Sequence, residues 1–480
     1  MKYLKLLIII TLMTSFIGCK DLIEVKPEGV GTLDNIMVDA NTAVMALNGT
    51  LDNMTSVYQR DYQSYTYFAS DDGYVKSPNY NWVDYEVLNP RESEFLTIWQ
   101  NFYAAINRCN IILSRLPNVP FKTAEVSIKN TVKGQALFIR AFSYYSLLRT
   151  VGGVPLITEE LTTPDAAKVA RAPMIEVYNR VVADLLEAIT LLPESMTGQF
   201  SLEYGKPCKY AANALLADVY LTYEKFPEAL AQANAVISSA KYAIMPRALI
   251  FSHNVTKDYN ADYNKDVIWD INFAGPSFSQ RFSYAWCNIA KTPLAGPVGS
   301  FGISQSFIAD LDLVNDNRLA SYLEWDNVQK VYWCLKLWNG EPQMDQALSF
   351  TNYPIYRIPE MFLIKAEAIL RSNGPIADVA TALNAVRTSA GLPAIANPTL
   401  NDILKERRVE LCFENKRYYD LNRLDLLKEK KVNLMNASAQ TTALRHFGKN
   451  TITNKDMFFF PIPQAEINAN PKLGGQNPGY

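Results

Sequence analysis

Apolar residues in the first half of the chain recur at steps of three and four positions. One such stripe runs from Phe95 to Leu113, a second from about Val126 to Arg149, and a third from Ile175 to Ile189. This spacing places the apolar side chains on one face of a helix. Because proline and glycine interrupt helices, the residues that follow the stripes mark their ends. Those residues are Pro117, Gly152-Gly153 and Pro193.

Two later segments predict pairs of antiparallel helices. Residues 211–240 place Leu216, Ala217 and Tyr220 before a turn at 225–227 and Ala229 after it. This arrangement of small residues resembles a tetratricopeptide repeat, in which they let two helices approach closely. The match is partial, since Asn213 and Ala233 stand where the repeat prefers large aromatic residues. A second pair is predicted at 359–370 and 377–388, and such pairs stack to bury their apolar faces.

The pattern changes between about residues 251 and 351. Val267, Trp269, Ile271 and Phe273 alternate with polar neighbours, as in a strand. Tryptophan and tyrosine concentrate here and between Tyr58 and Tyr85, in polar surroundings. The fold class expected is mainly α, with tetratricopeptide-like helix pairs forming a scaffold. An irregular, loop-rich lobe with a few short strands, around 56–93 and 250–352, would carry function on that frame.

The N-terminus has the pattern of an export signal. Lys2 and Lys5 precede an apolar run, Leu6 to Ile17, which is shorter than the roughly 20 residues needed to span a bilayer. The run ends at Gly18-Cys19, which resembles a bacterial lipobox. Residues 1–18 are therefore expected to be a lipoprotein signal peptide, Cys19 the acylated residue and 19–34 a linker to a domain at 35–480. A plain secretory signal is the alternative.

Composition narrows the functional classes. Hydrophobic residues make up 49% of the 480-residue chain, and the net charge is −2 with acids and bases interspersed. The lack of a basic patch argues against a nucleic-acid partner. Five cysteines besides Cys19 are isolated, which favours buried thiols over a metal site. They are Cys109, Cys208, Cys287, Cys334 and Cys412.

No familiar catalytic motif is present, and no cofactor is expected. Asp310, Asp312, Asn315 and Asp316 lack the spacing of an EF-hand, so a solvated loop is favoured over an irregular calcium site. The acids and bases of 406–423 favour a structural ion network, with Glu414, Arg417, Asp420 and Arg423 at three-residue steps of one helix. Leu404, Leu411 and Tyr418 would form its buried stripe, and Arg407 and Arg408 would dock on the C-terminal tail.

Several segments, in their order along the chain, resemble the SusD/RagB family of outer-membrane nutrient-binding lipoproteins. They are Ser70-Asp71-Asp72, Arg140-Ala141 to Leu156, Tyr356 to Glu360, Glu406 to Leu411, Glu414 to Arg417, Asp420 to Arg423, Phe460 to Pro463 and Gln476 to Tyr480. The resemblance implies a non-catalytic surface lipoprotein of Bacteroidota-like bacteria that associates with a TonB-dependent, SusC-like transporter. It also implies oligosaccharide binding by aromatic side chains on the irregular lobe, with a peptide ligand as the alternative.

Sugar rings need flat apolar surfaces flanked by polar groups, which tryptophan and tyrosine supply. Two groups of candidate ligand-binding residues follow. The first contains Asp72, Tyr80, Asn81, Trp82 and Tyr85; the second contains Tyr284, Trp286 and Trp325. Asp71 and Asp72 have ordering of a loop as their alternative role, and Trp99 and Trp269 are expected in the core. A protein-binding scaffold and a hydrolase with two facing carboxylates remain as rival functions.

Overall fold

The computed structural model describes ten stretches of the chain. They are residues 37–58, 61–75, 88–195, 205–245, 265–273, 301–327, 331–334, 336, 352–424 and 459–480. The predicted signal peptide, Cys19 and the linker to residue 34 lie outside them. No helix among these residues is long and apolar enough to cross a membrane.

The first five helices include all three predicted from the apolar stripes. They are α1 (Ala40–Tyr58), α2 (Asp61–Phe68), α3 (Ser93–Arg115), α4 (Val126–Val151) and α5 (Met174–Leu191). The predicted breakers lie at or just beyond their ends. Gly152 follows α4 with a φ of 88°, in the left-handed region that favours glycine.

The two predicted helix pairs are also confirmed. The first is α6 (Lys209–Thr222) with α7 (Phe226–Ile237), in which Asn213 donates to the side chain of Gln232 at 2.7 Å. Short helices α8 (Gln305–Ile308) and α9 (Leu319–Tyr322) come next, followed by the second pair, α10 (Ile358–Arg371) and α11 (Ile376–Ser389). Three more helices lie in the described C-terminal residues: α12 (Leu400–Glu410), α13 (Arg417–Arg423) and α14 (Gln464–Ala469).

The long helices pack as a continuous series of neighbours. Helix α3 packs between α1 and α4, α5 between α4 and α6, and α7 against both α6 and α10. Alanines 211, 214, 217, 229 and 233 are fully buried where α6 meets α7, so the two backbones approach closely. Helix α4 is buried on nearly every side after Thr131, and it forms the centre of the scaffold.

Within the described stretches, six strands form three two-stranded antiparallel sheets beside the helices. Strand β1 (Gly73–Val75) pairs with β3 (Phe301–Ile303), β2 (Val267–Ile271) with β6 (Tyr353–Arg357), and β4 (Leu323–Asp326) with β5 (Val331–Cys334). Strand β3 also contacts β5, which links two of these pairs. The mainly helical fold class with a few short strands is therefore confirmed.

The tyrosines at the start of the first irregular segment belong to the core, which corrects the prediction. Helix α2 occupies part of 56–93, and its aromatic side chains pack on those of α3, while Tyr58 at the end of α1 packs on Tyr353 of β6. Tyr58, Tyr62, Tyr65 and Tyr67 are all buried. The polar neighbours that suggested a loop are buried too, since Ser64 and Thr66 are inaccessible and Thr66 donates to a backbone carbonyl at 2.9 Å.

Trp99 and Trp269 lie in the core, as expected. Trp269 is on β2, and its neighbours Ile268 and Asp270 are buried as well, so the strand is a buried one. Burial of Asp270 is tolerated because Asn352 donates to its carboxylate at 2.9 Å. The strand contacts α1 and α6 of the scaffold and pairs along one edge with β6.

Candidate functional site

The β4–β5 hairpin presents the exposed tryptophan of the second predicted ligand group. Trp325 is 42% exposed and lies opposite Tyr332 in the strand register. The two ring centroids are 4.8 Å apart, with their planes inclined by 59°. We call this element, with its Trp325–Tyr332 pair, the aromatic hairpin.

One face of the aromatic hairpin passes from the core to the surface. Leu323 and Cys334 form the register pair at its base, and both are buried. Because side chains two apart on a strand share a face, Trp325 and Tyr332 continue that face outward. The Trp325 indole N–H donates to Oδ1 of Asn327 at 3.1 Å, a solvent-exposed hydrogen bond that favours one orientation of the ring. The arrangement supplies an apolar plate with an amide at its edge.

Six other predicted ligand residues lie outside the described part of the chain. They are Tyr80, Asn81, Trp82, Tyr85, Tyr284 and Trp286. Their assignment to a ligand site stays a prediction.

Asp72 is buried, with only 1% of its surface exposed. Its Oδ1 accepts from Nε of Arg408 at 2.8 Å, and its backbone carbonyl accepts from the N–H of Ser304 at 2.8 Å. These contacts join the turn before β1 to the residues after β3 and to α12. The position favours the alternative role given to Asp72, ordering of a loop, over contact with a ligand.

Arg407 and Arg408 do not dock on the described part of the C-terminal tail, so that prediction is wrong. Arg407 pairs with Glu360 at 3.3 Å and Asp420 at 3.1 Å. Arg408 binds Asp72 and also forms an ion pair with Asp310. The two arginines, adjacent on α12, therefore contact different regions, one in the helical scaffold and one in the strand-containing lobe.

Residues 406–423 do not form one helix, because α12 ends at Glu410 and α13 starts at Arg417. Phe413 and Asn415 in the intervening turn have φ of 65° and 58°, which breaks the helical path. Asp420 and Arg423 do pair at 2.9 Å, but Glu414 pairs with Arg357, and Arg417 with Asp71. The predicted ion network exists among long-range partners instead of along a helix surface.

A buried set of glutamates at four-residue spacing was missed by the sequence analysis. Glu406, Glu410 and Glu414, here called the glutamate series, are each at most 2% exposed. They form ion pairs with three buried cations, Arg318, Lys336 and Arg357. The spacing was visible in the sequence, but the cations come from distant segments that only the fold brings together.

Arg357, like Arg318, forms ion pairs with three carboxylates. Its guanidinium reaches Asp266 at 2.8 Å, Glu410 at 2.9 Å and Glu414 at 2.8 Å. Burial alone would lower the pKa of Arg357, but these carboxylates hold it well above its usual value. Burial alone would likewise raise the pKa of Glu414, and Arg357 and Lys336 outweigh it and lower that pKa.

The lowered pKa of Asp420 predicts that the unfolding free energy depends on pH in the acidic range. Burial would raise its pKa, but Arg407 and Arg423 lower it from 3.8 to about 2. Its stabilising contribution is therefore complete above the ordinary pKa and is lost as the pH falls toward the lowered value. Relative to Asp420→Asn, the wild type should lose about 1 kcal/mol of unfolding free energy between roughly pH 6 and pH 3. Urea titrations across that range measure it, and parallel curves for the two proteins would contradict the assignment.

The acidic residues considered for calcium contact arginines or cap turns. Asp310 pairs with Arg408, and Asp316 with Arg318 at 2.6 Å. Asp312 Oδ1 accepts from the backbone N–H of Asn315 at 3.0 Å. No group of three or more His, Cys, Asp or Glu side chains suited to a metal ion occurs among the described residues.

Cys109, Cys208, Cys334 and Cys412 are buried, as expected from their isolation. Burial raises the pKa of Cys109 to about 12. Cys287 lies outside the described residues.

Comparison with known proteins agrees with this architecture along the whole chain. The SusD family model matches residues 234–480, and a second, described as "Starch-binding associating with outer membrane", matches residues 27–221. The chain is 26% identical to the SusD-like protein P2 of Formosa agariphila, in an alignment that covers all of both chains.

Solved structures show the same fold. A SusD homolog from Bacteroides thetaiotaomicron superposes with a TM-score of 0.78 at 21% identity, covering 93% of this chain and 98% of the other. A laminarin-binding SusD-like protein superposes with a TM-score of 0.72 at 24% identity, covering 92% and 100%. A family match over more than half the sequence, together with this fold, shows that the chain belongs to the SusD/RagB family.

Proposed function

We propose that this protein is a non-catalytic glycan-binding protein that captures oligosaccharides at the cell surface. The observation that carries the proposal is the aromatic hairpin, where Trp325 and Tyr332 form a partly exposed pair of rings. An exposed tryptophan next to a second ring offers a broad apolar surface of a kind that marks binding sites. Family membership supports the same interpretation, as does the likeness to a laminarin-binding relative.

The chemistry of the pair suits a pyranose ring. The C–H face of the sugar packs on the indole, while hydroxyl groups at the ring edge need hydrogen-bonding partners. Asn327 lies at the edge of the plate, where its amide holds the indole N–H. Because the hydrogen bond favours one orientation of the ring before a ligand arrives, it reduces the rotamer entropy lost on binding.

Calorimetric titration of the mature chain against glycans tests the proposal. The panel should include starch-derived and laminarin oligosaccharides, other plant, fungal, host and bacterial glycans, and peptides. Trp325→Ala should weaken binding of the recognised glycan at least about tenfold, as expected for loss of a stacking surface. Met45→Ala, which removes an exposed apolar side chain from α1, is the matched control and should leave the affinity unchanged.

Two results would contradict the proposal. If the wild type binds none of the glycans, or binds only peptides, glycan capture is excluded as the function. If Trp325→Ala binds the glycan with the affinity of the wild type and its circular dichroism is unchanged, the aromatic hairpin is not part of the binding site. In that case the glycan would bind at other residues.

We further propose that acylation of Cys19 anchors the protein to the outer membrane, where it delivers glycans to a TonB-dependent, SusC-like transporter. The sequence of the first 19 residues supports the anchor, and the family supports the partner. Palmitate labelling should be lost in Cys19→Ala, and affinity purification of the wild type from membranes should recover the transporter. Labelling of Cys19→Ala at the wild-type level would overturn the proposed anchor. Purification without a transporter would overturn the proposed partner.

A further inference from the structure

The aromatic hairpin is flanked in sequence by two buried cations. Arg318 lies immediately before α9, which leads into β4, and Lys336 lies shortly after β5. Both are inaccessible to solvent. The segment that carries Trp325 is therefore held at both of its ends by a charged side chain in the interior.

Both cations bind the glutamate series. Arg318 Nη1 contacts Oε1 of Glu406 at 2.5 Å and Oε2 of Glu410 at 2.9 Å. Lys336 Nζ contacts Oε1 of Glu414 at 2.5 Å. The two ends of the hairpin segment therefore meet the same glutamate series, Arg318 at Glu406 and Glu410 of α12 and Lys336 at Glu414 in the turn that follows.

Further contacts fix the Lys336 end. Its ammonium donates to the backbone carbonyls of Glu410 at 2.6 Å and Cys412 at 3.1 Å, and it lies 4.2 Å from the centre of the Tyr322 ring. An ammonium group has three N–H donors, and these partners surround it. Lys336 thus joins the end of β5 to the turn that follows α12.

The same glutamates connect to the rigid scaffold through Arg357. That residue ends β6 and precedes α10, and it binds both Glu410 and Glu414. The glutamate series consequently lies between the helical scaffold on one side and the aromatic hairpin on the other.

We propose that Arg318, Lys336 and the glutamate series are positioning residues for ligand binding, which set the location of the Trp325–Tyr332 pair. The proposal rests on the function proposed above. Buried ion pairs add little net stability, because desolvation offsets the attraction between the charges. They do favour one geometry, since any other arrangement leaves a buried charge unpaired. A binding plate gains affinity when its position is fixed before the ligand arrives.

Lys336→Met is the variant that tests this role. Methionine keeps much of the side-chain volume and removes the contacts of the ammonium, while Glu414 stays paired with Arg357. Hydrogen exchange in peptides covering β4 and β5 should accelerate at least about tenfold, because the hairpin opens locally more often. The Kd for the recognised glycan should rise about fivefold or more as preorganisation is lost.

Val181→Ala is the matched control for general destabilisation. Val181 is fully buried on α5 and does not belong to the ion network. The control should lower thermal stability but leave the Kd and the exchange of β4 and β5 at wild-type values. If Lys336→Met does not fold, Glu406→Gln provides a milder change at the Arg318 end, with the same two expectations.

The two readouts separate this inference from the proposed function. Wild-type exchange and Kd in a folded Lys336→Met or Glu406→Gln variant would overturn the positioning role, as would equal effects in Val181→Ala. Faster exchange at β4 and β5 in a protein whose wild type binds no glycan would support the structural part and exclude the glycan function. Faster exchange with an unchanged Kd would overturn the role in binding.

Discussion

Arg357→Met is expected to destabilise the protein by about 3–5 kcal/mol, since it removes one cation from a buried cluster of carboxylates. The guanidinium contacts Asp266, Glu410 and Glu414, and all four side chains are inaccessible or nearly so. Removal of the arginine takes away the ion pair of Asp266, while Glu410 keeps Arg318 and Glu414 keeps Lys336 as partners. The buried cluster is then left with one more negative charge than before that no cation offsets. Urea or guanidinium titration followed by circular dichroism measures the loss.

Lys133→Met is the matched control for this substitution. Lys133 pairs with Glu187 between α4 and α5, but both side chains are more than 40% exposed. Because solvent screens such a pair, its removal should cost less than about 1 kcal/mol. Similar losses in the two variants would show that burial of the Arg357 cluster does not determine its contribution.

Trp269→Ala is expected to cost about 3–5 kcal/mol, because it empties a large volume in the core. The indole lies edge-on to Phe138 and Phe142 of α4, with ring centroids 4.7 and 4.8 Å away. Its N–H donates to the carbonyl of Gly205 at 2.8 Å. The substitution would leave both the cavity and an acceptor without its donor.

Trp269→Phe separates the effect of the lost hydrogen bond from the effect of the cavity. It keeps an aromatic ring in the cavity and loses the hydrogen bond, so its cost should be about 1–2 kcal/mol. Where the protein stays folded, this variant should keep the glycan affinity of the wild type, in contrast to Trp325→Ala. Loss of binding in a folded Trp269→Phe variant would contradict the separation of the two tryptophans into core and site.

Several features of the fold could be predicted from local patterns in the sequence. The stripes from Phe95, Val126 and Ile175 predicted three helices, and the small residues around Ala217 and Ala229 predicted a close helix pair. Local patterns failed at α2, where polar residues between the tyrosines suggested a loop. Burial of those polar groups depends on partners elsewhere in the fold, which a window of sequence does not contain.

The candidate site, too, was predictable from the sequence only where it did not depend on distant contacts. Residue type and polar surroundings singled out Trp325, since neither depends on distant contacts. Its pairing with Tyr332 follows from the strand register. Asp72 looked like a ligand contact by composition, yet Arg408, 336 residues further along the chain, holds it in the interior.

The sequence by itself determined the helical scaffold, the two close helix pairs and the family, because these rest on spacing and order along the chain. Only the tertiary structure decided which charges are buried together. The three buried cations bind glutamates that are far away in the sequence. Glu410, for example, is 53 residues from Arg357 and 92 residues from Arg318. An ion pair depends on distance in space and on exclusion of water, and neither quantity is encoded in the local pattern around any one of these residues.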